Sequence, residues 1–379
     1  MHIVFLCNEY PPSNGGGIGI FTQTLARHLV KSGYKASVIG GYHIREELVE
    51  IDQGVQIIRM PINTTPVINL LINKFRVRKR LTMLNTTTPV DIVEGSEIEL
   101  WGLSSKIPGI KILRMHGGHH FFSVTLGNKP KPGRGYLERL SFHNADYLCA
   151  VSKFVAETTR ELLGLGSRSI EVIPNSVNVH LFKPLPDVKE ESGSILFVGA
   201  ITEKKGIRQL IQAMSMIKQA KPLAHLYIVG RDTIDKNTGE SYTRNLMSTI
   251  PIELLDSIHF VGPVQNAEVA DRIARAQVCV YPSHMEAQGI VVIEAMAAGK
   301  AVVASQTGPG PELINDGIDG LLCDPYSPVS IAEKIIILLE NEDLRKKLSI
   351  NARKRAMEQF STEVLIEKNI EFYKKCLAR

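Results

Sequence analysis

Short apolar runs alternate along this chain with longer segments whose apolar positions recur every three to four residues. His2–Cys7 (HIVFLC) reads as a buried strand. In Ile18–Ser32 the residues Ile18, Phe21, Leu25, Leu29 and Val30 share one helical face, and Gly33 stands where a helix stops. Further strands are predicted at Ala36–Ile39, Val55–Met60, Ile92–Val93, Lys111–Met115 and Tyr147–Val151, with a helix over Glu138–Ala145; Glu171–Pro174 ends the series. Leu181–Gly193 is polar, carries Pro184 and Pro186, and has no periodicity, so it reads as a linker. The alternation then restarts. Strands at Ser194–Gly199, His225–Gly230, Ile258–Val261, Val278–Tyr281 and Ala301–Ala304 enclose helices such as Gly206–Ala220, Ala267–Ala276 and Ile290–Ala298. Glu363–Arg379 is one amphipathic helix.

This β–α alternation in both halves predicts an α/β chain of two Rossmann-like domains, each a doubly wound parallel sheet. The expected domains are 1–185 and 186–360, with a final helix over 361–379 packing back on the first. Ligands of such sheets bind at the carboxyl ends of the strands, so two of them are expected to face a cleft. A length of 379 residues suits two domains, and 44% hydrophobic with 22% charged residues excludes a disordered chain. No apolar run approaches the roughly 18 residues of a membrane span. The chain opens on a strand with no leader-like segment, so a cytoplasmic protein is expected. Cys7, Cys149, Cys279, Cys323 and Cys376 have no metal-ligand spacing and are expected as reduced core thiols.

Charge changes the picture only in the first half. Residues 1–185 hold 21 basic and 14 acidic side chains, against 23 and 25 in 186–379. The excess clusters at Lys74–Arg80 (KFRVRKR) and Lys129–Arg139, which suggests an anionic partner such as a phosphorylated lipid or a membrane surface; a solvated helix face reads equally well. No aromatic–basic interleaving points to nucleic acid.

Candidate chemistry concentrates in Tyr281–Ser305 (YPSHMEAQGIVVIEAMAAGKAVVAS). A strand ends near Pro282, a polar turn holds Glu286, and Gly289 opens a helix that carries Glu294. The amides of Gly289, Ile290 and Val291 then lie at the positive end of a helix dipole, a ready site for a diphosphate. A carboxylate just before them can accept sugar hydroxyls, and one a turn later can take the two hydroxyls of a ribose. Gly15–Ile20 begins as a dinucleotide fingerprint but has Ile20 at the third glycine position, and no acidic residue ends the next strand.

Here the chain resembles the retaining glycosyltransferases of family 4, which have the two-domain GT-B fold and an E-x7-E motif matched by Glu286 and Glu294. The resemblance spans nearly the whole chain. PPSNGGGIGIF resembles the family's glycine loop and implies that Gly16 and Gly17 lie against donor phosphate or acceptor. LRMHGG resembles the strand end whose histidine, His116, bonds the transferred sugar. FVGAITEKKG matches the phosphate loop and assigns Lys205 to the diphosphate, while HFVGPV places Val264 on the nucleobase. Asn175, in VIPNSVN, and Arg231 are further candidates. Ala200 stands where many members have Arg, leaving Lys204, Arg208 or Arg231 to supply the charge, and Gln288 stands where an aromatic is usual. The resemblance implies a nucleotide-sugar donor (UDP favoured, GDP-mannose second), a glycan or lipid-linked acceptor, no cofactor and no metal; no D-x-D occurs in the chain. The rivals are an epimerase or small-acceptor synthase on the same fold, and a non-catalytic sugar-nucleotide-binding subunit.

Overall fold

The computed structural model describes residues 1–12, 16–62, 66–103, 106–235 and 238–378. They form two compact units, Met1–Asn175 with Leu365–Arg379, and Ser176–Val364. In the first unit the strands are β1 (His2–Leu6), β2 (Lys35–Tyr42), β3 (Leu48–Asp52), β4 (Val55–Pro61), β5 (Ile92–Gly95), β6 (Ile110–Met115), β7 (Tyr147–Ala150) and β8 (Ile170–Val172). In the second they are β9 (Ser194–Val198), β10 (His225–Val229), β11 (Ile258–Gly262), β12 (Val278–Tyr281), β13 (Val302–Ser305) and β14 (Leu321–Cys323). The sheet orders are β3-β4-β2-β1-β5-β6-β7-β8 and β11-β10-β9-β12-β13-β14. Helices cover both faces, so the central strands are buried on both sides. That is why they stand out in the sequence as unbroken apolar runs.

The edge strand β3 escapes that signal. It pairs antiparallel with β4 and leaves Leu48, Val49 and Ile51 on the surface, so burial imposes no pattern on it. The hairpin turns through Gln53 and Gly54, whose φ angles of 50° and 86° suit a tight primed turn.

The helix Pro66–Thr87 changes the reading of the basic cluster. Lys74 is buried: its Nζ donates to the Glu99 carbonyl at 2.6 Å and lies 5.2 Å from the Trp101 ring centre. Arg76 donates to the Pro61 carbonyl and Arg80 pairs with Glu47. These three cations serve the fold. Arg78 and Lys79 remain exposed, beside the exposed Leu71 and Phe75 at helical spacing.

The units divide at Asn175/Ser176 rather than at 185/186, because Val177, Val179 and Phe182 are buried in the second unit's core. The final helix, Thr362–Leu377, gives Leu365, Ile366, Phe372, Tyr373 and Cys376 to the first unit's core. Its Asn369 accepts from Arg114, and its Tyr373 donates to Glu94. All five cysteines are buried and unbridged. Among the described residues no helix is long and apolar enough to cross a membrane.

Candidate active site

In the second unit the chain runs outward from β9 to β10 and β11, then returns to the other side of β9 to lay down β12, β13 and β14. The loops after β9 and β12 therefore part at a switch point, the place where open parallel sheets bind ligands. Lys205 ends a single 3-10 turn, Glu203–Lys205, after β9; Glu286 lies in the loop after β12. Two contacts fasten these loops. Gly206 has φ 69°, and a Cβ there would stand 1.9 Å from the Pro282 carbonyl oxygen, so only glycine fits. The His284 amide donates to the Lys204 carbonyl at 2.9 Å. As a result Lys205 Nζ forms an ion pair with Glu286 Oε1, and Ser283 Oγ donates to the same oxygen at 3.2 Å. Both charged side chains keep a minor exposed fraction, 16% and 20%.

Gly289 then caps the helix Ile290–Ala297. The amides of Gly289, Ile290 and Val291 precede its first internal acceptor bond. Glu294 lies one turn in, and desolvation pushes its carboxyl up to about 8. A shallow, open hollow lies here, lined by Ser283, Glu286, Gln288, Gly289, Val291 and Thr307 among others. Gln288 is buried in it. Val264 is half-buried after β11. Arg208 is committed to Glu203 and lies over the Tyr242 ring. Arg231 is exposed just after β10, where its carbonyl accepts the Ile201 amide at 2.9 Å.

In the first unit His116 directly follows β6. Its ring meets Phe21 edge-on at 5.2 Å, and the Arg114 guanidinium lies over the same Phe21 ring at 4.9 Å. Burial, then the Arg114 charge, hold the imidazole down at about 3, so it is neutral at physiological pH. The neighbouring histidines are engaged: His119 accepts the Lys131 amide at 2.7 Å, and His120 pairs with Glu138. Gly16 donates its amide to Glu9 at 2.9 Å, and Gly17 opens the helix Gly17–Lys31. The close approach in this loop falls at Gly19, where a Cβ would stand 1.9 Å from the Glu9 carbonyl oxygen. Asn175 is half-buried at the end of the first unit's main segment.

The structure thus joins Lys205, Glu286, Gly289 and Val291 around one switch point, with Glu294 on the same helix. It places Gly16, Gly17 and His116 in the other unit. Sequence reasoning passed over Ser283, two residues after a buried strand, and over Glu97 and Glu138. It also passed over an open hollow at the ends of β1, β2 and β4, lined in part by Asn8, Glu9, Tyr42, Glu50 and Arg59. Each of these lies outside a glycine-rich or paired-acid pattern.

Two family profiles tile the chain: Glycosyltransferase Family 4 matches residues 15–181, and Glycosyl transferases group 1 matches residues 182–355. An uncharacterised glycosyltransferase of Methanocaldococcus jannaschii is 31% identical, over 78% of this chain and 78% of that protein. Sucrose-phosphate synthase of Thermosynechococcus elongatus superposes with a TM-score of 0.83 at 21% identity, covering 100% of this chain and 99% of that one. Anabaena HepE, solved in complex with UDP and glucose, superposes with a TM-score of 0.76 at 18% identity, covering 99% and 100%. The chain is therefore an enzyme that belongs to the family 4 glycosyltransferases, built on the GT-B fold.

Proposed function

We propose that this glycosyltransferase moves a hexose from a UDP-sugar to a hydroxyl of a glycan or lipid-linked acceptor, with retention at the anomeric carbon and without a metal. The observation that carries the reading is the Lys205–Glu286 pair, set at the switch point beside the free amides of a helix start. A diphosphate entering there meets one ammonium and a helix dipole, which together neutralise the leaving group. Glu286 then accepts hydroxyl bonds from the sugar, and Glu294 those of the ribose. Val264 packs on the base, and Arg231 adds charge where Ala200 has none.

His116, held neutral, presents a ring nitrogen to the transferred sugar, and Gly16 and Gly17 carry the adjoining backbone. Asn175 is a further contact. The departing phosphate oxygen takes the acceptor proton on the same face. The donor assignment is supported by the UDP held in HepE.

Calorimetric titration with UDP, GDP, ADP and NAD, with a chelator present throughout, tests the reading. Binding of UDP in preference to the others is the expected result. Preference for GDP moves the donor to a guanosine sugar, whereas binding of NAD alone removes the transferase mechanism.

The acceptor proposal extends to the inner face of the cell membrane, reached through Leu71, Phe75, Arg78 and Lys79. Replacing Arg78 and Lys79 by Gln is expected to weaken binding to anionic vesicles by about tenfold or more. Lys74→Gln is a poor probe, because Lys74 is internal. Unchanged vesicle flotation of the Arg78/Lys79 variant would remove this face from the proposal.

A further inference from the structure

Below His116 lie two carboxyl groups that the transfer chemistry does not use. Glu97 follows β5 and Glu138 projects from the helix Pro132–Asn144; both are buried, Glu138 completely. They converge on Gly118. A Cβ on that glycine would stand 1.9 Å from Glu138 Oε1 and 2.8 Å from Glu97 Cγ. Glu97 Oε1 accepts the His116 amide at 2.5 Å. Glu138 Oε2 accepts the His120 amide at 2.9 Å and also meets His120 Nδ1. Glu138 Oε1 is buried without any donor among the described residues.

We infer that Glu97 and Glu138 are positioning residues: holding one proton between them, the two carboxyl groups clamp the backbone on both sides of the turn that presents His116. A second negative charge beside a carboxylate in a dry site disfavours ionisation of Glu97, and a buried acceptor left without a donor is costly. A proton on Glu97 supplies the donor that Glu138 Oε1 otherwise lacks, and leaves Glu97 Oε1 free to accept from His116. Burial and the Glu138 charge push Glu97 up to about 8, in keeping with that proton. Among the described residues, the charged or titratable groups near the pair include His116, His119 and His120, Arg134 on the Glu138 helix, and Arg114 beneath His116. The inference rests on the proposed role of His116, since a clamp matters to turnover only if that imidazole touches the sugar.

The test compares wild type, Glu97→Gln, Glu97→Ala and His116→Ala. At neutral pH the infrared difference between wild type and Glu97→Gln is expected to show a protonated carboxyl band, a reading that needs no substrate. With UDP-glucose as donor and water as acceptor, wild-type turnover at saturating donor is expected to fall as pH rises through about 8. Glu97→Gln, which keeps both the acceptor and the donor, should retain turnover and lose that alkaline fall. Glu97→Ala should lose about 10²-fold in turnover with UDP affinity unchanged, the scale of a misplaced contact group. Absence of the infrared band, or an alkaline fall that survives in Glu97→Gln, overturns the inference. If Glu97→Ala does not fold, Glu97→Gln decides alone. Wild-type turnover in His116→Ala removes the underlying reading, whereas an impaired His116→Ala beside a normal Glu97→Ala removes this inference only.

Discussion

Lys205→Ala is expected to lower turnover by about 10²–10³ while leaving UDP binding within roughly tenfold, the cost usually seen when one preorganised donor to a developing charge is removed. In the resting protein the ammonium is paired with Glu286, and Ser283 supports the same carboxylate oxygen. A bound diphosphate already draws on that ammonium, and draws on it more strongly as the glycosidic bond weakens and negative charge gathers on the leaving oxygen. The contribution of Lys205 therefore falls mainly on the transition state rather than on ground-state binding. The pairing adds a second signature. Removing Lys205 leaves Glu286 without its counter-ion, so the effects of Lys205→Ala and Glu286→Ala should be strongly non-additive in a double-mutant cycle. Rates of UDP release from UDP-glucose, with calorimetric UDP affinities for each variant, check both points. A Lys205→Ala enzyme within a few-fold of wild type would show that the leaving group is neutralised elsewhere.

Glu294→Ala should instead act on binding, weakening UDP by about 10²-fold, the loss of two hydrogen bonds to a charged acceptor. In the free protein desolvation pushes this carboxyl up to about 8, so at neutral pH it carries a proton. Ribose hydroxyls donate to the ionised form and favour it, so bound nucleoside draws the pKa down. UDP binding below pH 8 should then release a proton from Glu294, and binding well above pH 8 should not. Titrations in buffers of different ionisation enthalpy read that proton directly. Glu294→Gln is expected to abolish the release. The same shift has a consequence for the free fold. Since the carboxyl is protonated more readily folded than unfolded, its contribution to stability falls as pH rises from the ordinary carboxylate range towards 8. Equal proton release by wild type and Glu294→Gln would detach this carboxylate from the ribose.

Both tests use residues that local sequence already marks. A buried parallel strand is an apolar run whichever strands flank it, so β1, β9 and β12 are legible from their own residues. The turn after such a strand, with Glu286 before Gly289 and Glu294 one helical turn later, is equally local: spacing alone puts one carboxylate on the loop and one on the helix. Lys205 is marked by its glycine-ended loop. These short-range features, with the family pattern they match, carried the fold class and the donor-site candidates.

What stayed hidden depends on residues far apart in the chain. The contact of Lys205 with Glu286 exists because β9 and β12 lie side by side in the sheet, and strand order is not encoded in any one strand. Lys74 points inward because Trp101 and the Glu99 carbonyl lie beneath its helix, although composition groups it with the exposed Arg78 and Lys79. The boundary at Asn175 follows from three apolar side chains in a polar segment, whose burial only the second unit's core decides. Glu97 and Glu138 look like ordinary surface acids until β5, β6 and a helix close around Gly118. Sequence by itself determined the central buried strands and the acid pair, because periodicity and capping act within a few residues. Tertiary structure alone decided which charges meet and which are buried, because both depend on packing between distant segments.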